Sequence, residues 1–137
     1  MGADLTGVEH EIVRRVYVGD DDQSGLIYFA TYFRYMAEGD QECFAALGHP
    51  FWDQIAAGES GPAVHAACDF VAPARTGDTL RQQIRLLPGA RSSCTTEHTF
   101  IDEAGLTVAR GRIVRAWVDL TTMQTRPLPP WLRRSPG

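Results

Sequence analysis

The order of apolar patterns along the chain predicts an α+β fold, one antiparallel sheet of five strands wrapped around a single long helix. Three observations carry this. Residues 26–47 place Phe29, Phe33, Met36, Ala37, Phe44 and Leu47 at roughly helical spacing. One β-rich run precedes that stretch and four follow it, each bounded by Gly, Pro or Asp turn signals. The helix is apolar over much of its circumference, so it needs partners on more than one side, and a curved sheet supplies them.

Taken in order, residues 10–18 form the first strand, with Ile12, Val13, Val16, Tyr17 and Val18 as its β-rich content. Residues 19–25, Gly-Asp-Asp-Asp-Gln-Ser-Gly, form a loop by composition. Thr31 is the expected cap of the helix, and Gly48 with Pro50 ends it. Residues 51–57 form one short helical turn and 58–61 a loop. Strands follow at 62–71, 79–87, 92–101 and 106–120, read as a hairpin series and therefore antiparallel. Gln82, Arg85, Arg91, Glu97, Arg110, Arg112 and Arg115 supply their polar faces. The core spans about residues 10–122, and the Pro-rich tail at 126–137 is expected to be irregular. An exposed sheet edge favours association with a second copy.

The composition narrows the function. At 137 residues the chain suits one domain, and 44% hydrophobic with 22% charged residues is ordinary for a globular protein. No apolar run approaches the roughly 20 residues that cross a bilayer, and the first ten residues lack the basic and apolar regions of a secretory signal. The net charge of −4 argues against a nucleic-acid surface. All basic residues are Arg, so a phosphate contact must use Arg, backbone N–H groups or hydroxyls. Cys43, Cys68 and Cys94 are odd in number and widely spaced, which fits reduced thiols in cytosol, and none has zinc-ligand spacing. His10, His49 and His98 read as surface or packing residues. No metal or redox cofactor is expected.

The chemistry concentrates at residues 20–35, Asp-Asp-Asp-Gln-Ser-Gly-Leu-Ile-Tyr-Phe-Ala-Thr-Tyr-Phe-Arg-Tyr. Three carboxylates precede a Gly and then an apolar helix. Gly25 permits a positive φ or a close backbone approach. The first N–H groups of a helix lack intrahelical partners and can stabilise an anion. A carboxylate beside such donors is equipped for acyl transfer: it attacks or activates water while an N–H polarises the carbonyl oxygen. The alternative reading is a solvated turn with one capping Asp. The Asp20, Asp22, Ser24 spacing also matches the opening of a calcium loop. Thr31, however, stands where the bidentate Glu is needed, and a strand precedes the loop.

This segment resembles the hotdog-fold acyl-CoA thioesterases of the 4-hydroxybenzoyl-CoA thioesterase type. Their Asp-x-Asp-x-x-Gly, apolar-aromatic run and Asn-Tyr-like pair read here as Asp20 to Gly25, Leu26 to Phe29, and Tyr32 to Tyr35. A second block, Gly61 to His65 through Asp69 to Ala74 and Gly77-Asp78, is similar to the 1,4-dihydroxy-2-naphthoyl-CoA thioesterases, as is the Pro127 to Trp131 tail. The resemblance implies hydrolysis of an acyl thioester, carried on coenzyme A or a carrier protein, by a homodimer that assembles to a homotetramer, and the cysteine pattern points to the cytoplasm. Coenzyme A enters as part of the substrate.

Carried over by position, Asp22 is the nucleophile or general base, the Phe29 backbone N–H polarises the carbonyl, and Gly25 keeps the loop close to the thioester. Asp20 is structural. Tyr28, Tyr32, Trp52 and His65 are substrate-contact candidates, and Arg91 with Ser92 are candidates for the coenzyme A phosphates, where Arg is a natural partner. Ala37 stands where one branch places the carboxylate that reads a 4-hydroxyl, which argues against 4-hydroxybenzoyl-CoA. The His that a related branch carries before the helix is absent at Phe29-Ala30. The rivals are a non-catalytic acyl-thioester-binding hotdog protein and a hotdog dehydratase or hydratase. The full motif at Asp22 opposes the first, and the missing His opposes the second.

Overall fold

The computed structural model describes residues 8–133, so the first seven residues and the last four of the Pro-rich tail lie outside the described residues. Strand β1 (Val8–Arg15) leads into helix α1 (Phe29–Ala46) and the short helix α2 (Phe51–Ala56). Strands β2 (Glu59–Ser60), β3 (Ala63–Phe70), β4 (Thr79–Pro88), β5 (Ser93–Ile101), β6 (Thr107–Ala116) and β7 (Val118–Asp119) follow, and a single 3-10 turn covers Pro130–Leu132. A five-stranded antiparallel sheet has the order β1-β4-β5-β6-β3, and β2 pairs with β7 in a separate ribbon.

Only part of the expected hairpin series forms. β4, β5 and β6 are sequential neighbours, but β3 pairs with β6 at the far edge, and residues 71–78 carry the chain back across to β4. The reason is the helix. A strand that follows α1 re-enters the sheet on the side the helix leaves open, and β1 already occupies the edge beside β4. The expected loop at 58–61 contains β2, whose partner β7 extends the last strand beyond Ala116.

Helix α1 lies in the concave face of the sheet. Its 18 residues give a rod about 27 Å long. Thr31, Tyr32, Tyr35, Met36, Gly39, Asp40, Cys43 and Phe44 are its buried residues, in steps of three and four. Gly48 ends the helix as expected. With φ +86 it adopts the left-handed conformation, its N–H reaches Ala45 O, and the His49 N–H returns to Phe44 O. The start differs from expectation. Tyr28 is the N-cap without a side-chain hydrogen bond, and Thr31 lies inside the first turn, where its hydroxyl donates to Asp20 O.

Two apolar clusters fill the space between helix and sheet. One joins Tyr32, Tyr35 and Met36 to Val16, Leu80, Phe100, Val108 and Ile113. The other joins Cys43 and Phe44 to Ile84, Leu86, Cys94, Trp117, Leu128 and Leu132. The Pro-rich tail is therefore irregular in backbone but anchored. Leu128 and Leu132 are buried, the Leu128 N–H donates to Arg91 O, and Trp131 stacks on His49 with ring centroids 4.0 Å apart. All three cysteines are free thiols, pushed up to about 11, 11 and 12 for Cys43, Cys68 and Cys94, mainly by burial. No helix among the described residues is long and apolar enough to cross a membrane.

Between the clusters sits a polar layer that spacing alone does not reveal. His98, read as a surface or packing residue, is 1% exposed. Its Nε2–H donates to Asp40 Oδ1 (2.9 Å) and Thr96 Oγ1 (3.1 Å), and its Nδ1 accepts from Gln82 Nε2 (2.9 Å). Gln82 and Arg115, assigned to polar faces, point inward. The Gln82 amide also donates to Tyr35 O, and Arg115 Nε donates to Asp40 Oδ2 (2.9 Å). A buried group is tolerable only when its hydrogen bonds are met, and here an imidazole N–H and a guanidinium share one carboxylate.

The helix approaches β6 closely at Gly111. A Cβ there meets Met36 Sδ at 2.3 Å and the Ala67 carbonyl oxygen at 2.9 Å. Met36 can rotate, but the neighbouring strand's backbone cannot. Gly111→Ala is expected to cost about 1–3 kcal/mol, the usual range for overpacking. Urea denaturation checks this, and a loss below about 0.5 kcal/mol would show that the strand can yield.

Candidate active site

The loop between β1 and α1 folds back on itself through its own polar groups. Asp20 is buried and acts as the anchor. Its carboxylate accepts from the Tyr17 N–H (3.0 Å), the Tyr35 hydroxyl (2.9 Å) and the Arg34 guanidinium. Its backbone oxygen accepts from the Tyr28 N–H (3.0 Å) and the Thr31 hydroxyl (2.9 Å), so one residue ties the loop to the helix start. Burial raises the Asp20 pKa, but the Tyr17 N–H, the Tyr35 hydroxyl and Arg34 outweigh it and leave it below its ordinary value. A lowered carboxylate contributes stability above its unfolded pKa, and that contribution is lost as pH falls through the folded value.

Asp22 lies at the tip of the same loop and is exposed. Its N–H donates to Leu26 O, and its carboxylate accepts from the Ser24 N–H (2.7 Å) and the Ser24 hydroxyl. These bonds close a tight turn that Gly25 completes with φ +81, where a Cβ would be strained. The Ser24 hydroxyl and N–H hold the Asp22 carboxyl below the usual carboxylate range, so it is an anion at neutral pH. The Ile27 N–H donates to Ala74 O, and the Thr76 N–H to Gly25 O, which fixes the turn against the 71–78 crossover.

Phe29 is the first residue of α1, and no acidic side chain lies in the first turn. Among the described residues the Phe29 and Ala30 N–H groups have no acceptor. They form the positive end of the helix dipole with nothing to neutralise it.

These parts border one cleft of about 440 Å³. Asp22, Leu26, Ile27, Phe29 and Tyr32 form one side, and Phe70, Val71, Ala72, Pro73 and Ala74 the other. A carboxylate anion and an unpaired helix N-terminus at an apolar, partly aromatic cleft are suited to acyl chemistry. The anion can attack or activate water, the N–H can receive a developing oxyanion, and the apolar wall can hold an acyl group.

The structure brings together Asp22, Gly25, Phe29 and Tyr32 from the sequence reading. Tyr28 is adjacent but outside the cleft lining, its ring exposed and 4.8 Å from that of Phe29. Trp52 lies elsewhere, in a groove with Ile12, Val13, Arg14, Glu38, Gln41, Glu42 and Ala45. His65 is exposed on edge strand β3. Arg91 and Ser92 sit in the β4–β5 turn, paired with each other at 3.3 Å. That turn is at the opposite end of β4 from the 71–78 crossover, about 30 Å away along a ten-residue strand. Arg34, which holds Asp20, was not assigned a role from sequence, and the wall from Phe70 to Ala74 entered only as part of the second resembling block, with none of its residues singled out. The signal for the wall was the apolar run with Pro73 directly after a strand.

The thioesterase-like superfamily profile matches residues 16–135. A 1,4-dihydroxy-2-naphthoyl-CoA hydrolase from Synechocystis sp. (strain ATCC 27184 / PCC 6803 / Kazusa) is 30% identical over 122 residues, 86% of this chain and 88% of that protein. The hydrolase of the same name from Thermosynechococcus vestitus is 30% identical over 132 residues, 90% of this chain and 88% of its own. Among solved structures, a gentisyl-coenzyme A thioesterase superposes with a TM-score of 0.83 at 27% identity, covering 90% of this chain and 99% of that one. A 1,4-dihydroxy-2-naphthoyl-CoA thioesterase from Synechocystis has a TM-score of 0.85 at 24% identity over 89% of this chain and 90% of that one, and shares the fold.

Proposed function

We infer the function from one premise: the chain belongs to the thioesterase-like superfamily and is an enzyme that hydrolyses acyl-CoA thioesters. Its acyl group is aromatic, and Asp22 and the Phe29 N–H carry the chemistry. The observation that supports this reading best is the single cleft at which the Asp22 anion, the free helix N-terminus and the aromatic wall of Phe29, Tyr32 and Phe70 meet. As nucleophile, the Asp22 carboxylate oxygen attacks the thioester carbon, the C–S bond breaks to release the coenzyme A thiolate, and water hydrolyses the resulting anhydride. As general base, Asp22 takes a proton from water as that water attacks the same carbon, and the C–S bond of the tetrahedral intermediate then breaks to release the coenzyme A thiolate, which takes up the proton. Either route places negative charge on the carbonyl oxygen beside the Phe29 N–H.

The working enzyme is a homodimer paired through β3. That strand is an edge of the sheet, and seven of its eight residues are exposed, with Ala63, Val64, Ala66, Ala67 and Phe70 presenting little charge. Such an edge recruits another strand. Antiparallel pairing of β3 with its copy sets the Phe70 end of one protomer beside the Ala63 end of the other. The β3–β6 and β5–β6 registers bring Ser93, and with it the β4–β5 turn, to that Ala63 end. Arg91 and Ser92 of the second copy then lie at the same end of the sheet as Asp22, where they can meet the coenzyme A phosphates. Exposed Val13, Trp52 and Ile55 support a further association of dimers into a tetramer. The free thiols fit a cytoplasmic setting.

Free-thiol release from benzoyl, hydroxybenzoyl, hydroxynaphthoyl and aliphatic acyl-CoAs, together with light scattering, tests the reading. Aromatic thioesters are expected to be turned over with kcat/KM at least about 10-fold above aliphatic ones, on the scale of a pocket difference of 1–3 kcal/mol, by a dimer or tetramer. Faster turnover of aliphatic substrates would overturn the aromatic assignment, and an active monomer would overturn the β3 interface.

A further inference from the structure

We propose that Tyr32 is a specificity-determining residue: its phenol hydroxyl hydrogen-bonds an oxygen substituent on the acyl ring, so the enzyme selects oxygenated over unsubstituted aromatic thioesters. This rests on the reading of the cleft as the acyl site. Three observations support it.

First, Tyr32 is 4% exposed and yet lines the cleft. Its ring is wedged edge-on against Phe100 (5.1 Å between centroids) and Tyr35 (6.2 Å), and tilted against Phe70 (5.6 Å), so it has no freedom to turn towards bulk solvent.

Second, its hydroxyl bonds to no protein group among the described residues. The neighbouring Tyr35 shows the contrast, since its hydroxyl donates to Asp20 at 2.9 Å. The only fully enclosed side-chain oxygen without a partner among the described residues is Thr76 Oγ1. The Tyr32 hydroxyl therefore keeps contact with open space, and the space that Tyr32 borders is the cleft. A phenol oxygen buried beside an apolar wall is costly to leave unbonded.

Third, burial raises the phenol to about 12, assisted by the nearby Cys68 and Asp78, so the group stays protonated and remains a donor throughout the working range. The rest of the lining, Leu26, Ile27, Phe29, Phe70, Val71, Ala72, Pro73 and Ala74, offers no side-chain polar group, and Asp22, a carboxylate anion, has no hydrogen to donate. An acyl ring held by this wall has Tyr32 as its one side-chain hydrogen-bond donor. A hydroxyl or carbonyl on the ring satisfies that donor, and an unsubstituted ring leaves it dry and unpaired.

The test compares kcat/KM for benzoyl-CoA with its ortho-, meta- and dihydroxylated forms, in the parent and in Tyr32→Phe. The substitution keeps the ring that packs on Phe100 and Tyr35 and removes only the hydroxyl. The parent is expected to prefer at least one hydroxylated substrate by about 10-fold or more. In Tyr32→Phe that preference ratio falls by roughly 5- to 50-fold, the range of one to two net hydrogen bonds. Calorimetric binding of non-hydrolysable phenacyl-CoA and hydroxyphenacyl-CoA is expected to show the same change in ratio, independent of turnover. Equal losses on all substrates would assign Tyr32 to packing alone and overturn the inference, as would an unchanged ratio or a parent that prefers benzoyl-CoA. Hydrolysis and binding of aliphatic thioesters only, with none of the aromatic ones accepted, would overturn the aromatic reading of the cleft together with this inference.

Discussion

Asp22→Asn is expected to lower kcat by at least about 100-fold, because positioned general bases contribute 10²–10⁴-fold and a covalent nucleophile contributes more. The substitution keeps an oxygen that accepts the Ser24 N–H and removes only the negative charge. Because Asp22 is exposed and makes no core contact, the thermal midpoint and the oligomeric state should stay close to the parent's. A variant with parental activity would remove Asp22 from the mechanism. The pH profile is a second check on the same residue. On the proposed mechanism the reactive form is the carboxylate, which Ser24 holds below the usual range, so kcat/KM is expected to be lost only as pH falls through that lowered value. The acid limb is expected below the ordinary Asp pKa of about 3.9. An acid limb near pH 6 would assign the titration to another group. A single turnover in water labelled with heavy oxygen, with hydroxylamine trapping alongside, separates the two roles. Unlabelled product acid in the first turnover, or a trapped Asp22 anhydride, reports covalent attack by Asp22, whereas labelled acid with no trapped anhydride reports direct attack by water.

The largest expected effect on stability is at Asp40. Its carboxylate is wholly buried and accepts from His98 Nε2–H and Arg115 Nε, both at 2.9 Å. Asp40→Ala leaves a guanidinium that is 11% exposed with no counter-charge and an imidazole N–H that retains only Thr96. Removing one partner of a buried pair costs about 3–5 kcal/mol. For a domain of this size that corresponds to a fall of roughly 10–20 °C in Tm. Asp40→Asn keeps an acceptor for His98 and loses only the charge opposite Arg115, so its cost should be smaller. Differential scanning calorimetry on both variants decides this. A loss below about 1 kcal/mol for Asp40→Ala would show that the layer relaxes around the gap. Asp40 is not part of the cleft lining, so the surviving folded protein should keep its acyl preference.

The legible part of the fold was the part written in periodicity. The apolar residues of α1 recur in steps of three and four, the Gly48 stop is a local conformational requirement, and β4 alternates buried and exposed residues along its length. The Asp22 loop was equally readable. Its turn is closed by residues two to four positions away, and the helix N-terminus begins seven residues on. Side chains so close in sequence have little choice of partner.

Other features were misread for a common reason. Gln82 looks like one more polar strand residue, and His98 like an isolated imidazole. Each becomes a core residue only because β4, β5 and α1 converge and supply Tyr35, Asp40 and Thr96 from distant positions. The Pro-rich tail carries no period, yet Leu128 and Leu132 are buried because they close the open end of the second apolar cluster.

By itself, then, the sequence determined the long helix and the main strands, where the helix stops, and that a loop of carboxylates leads into the helix start, because each follows from contacts within a turn or two of chain; the choice of Asp22 within that loop came from the family resemblance. The tertiary structure alone decided that β3 crosses to the far edge, that Asp40, His98 and Arg115 form one buried layer, and that Tyr32 rather than Trp52 or His65 shares a cleft with Asp22. Those outcomes depend on how a sheet curves around one helix, and no local pattern records which distant side chains that curvature brings together.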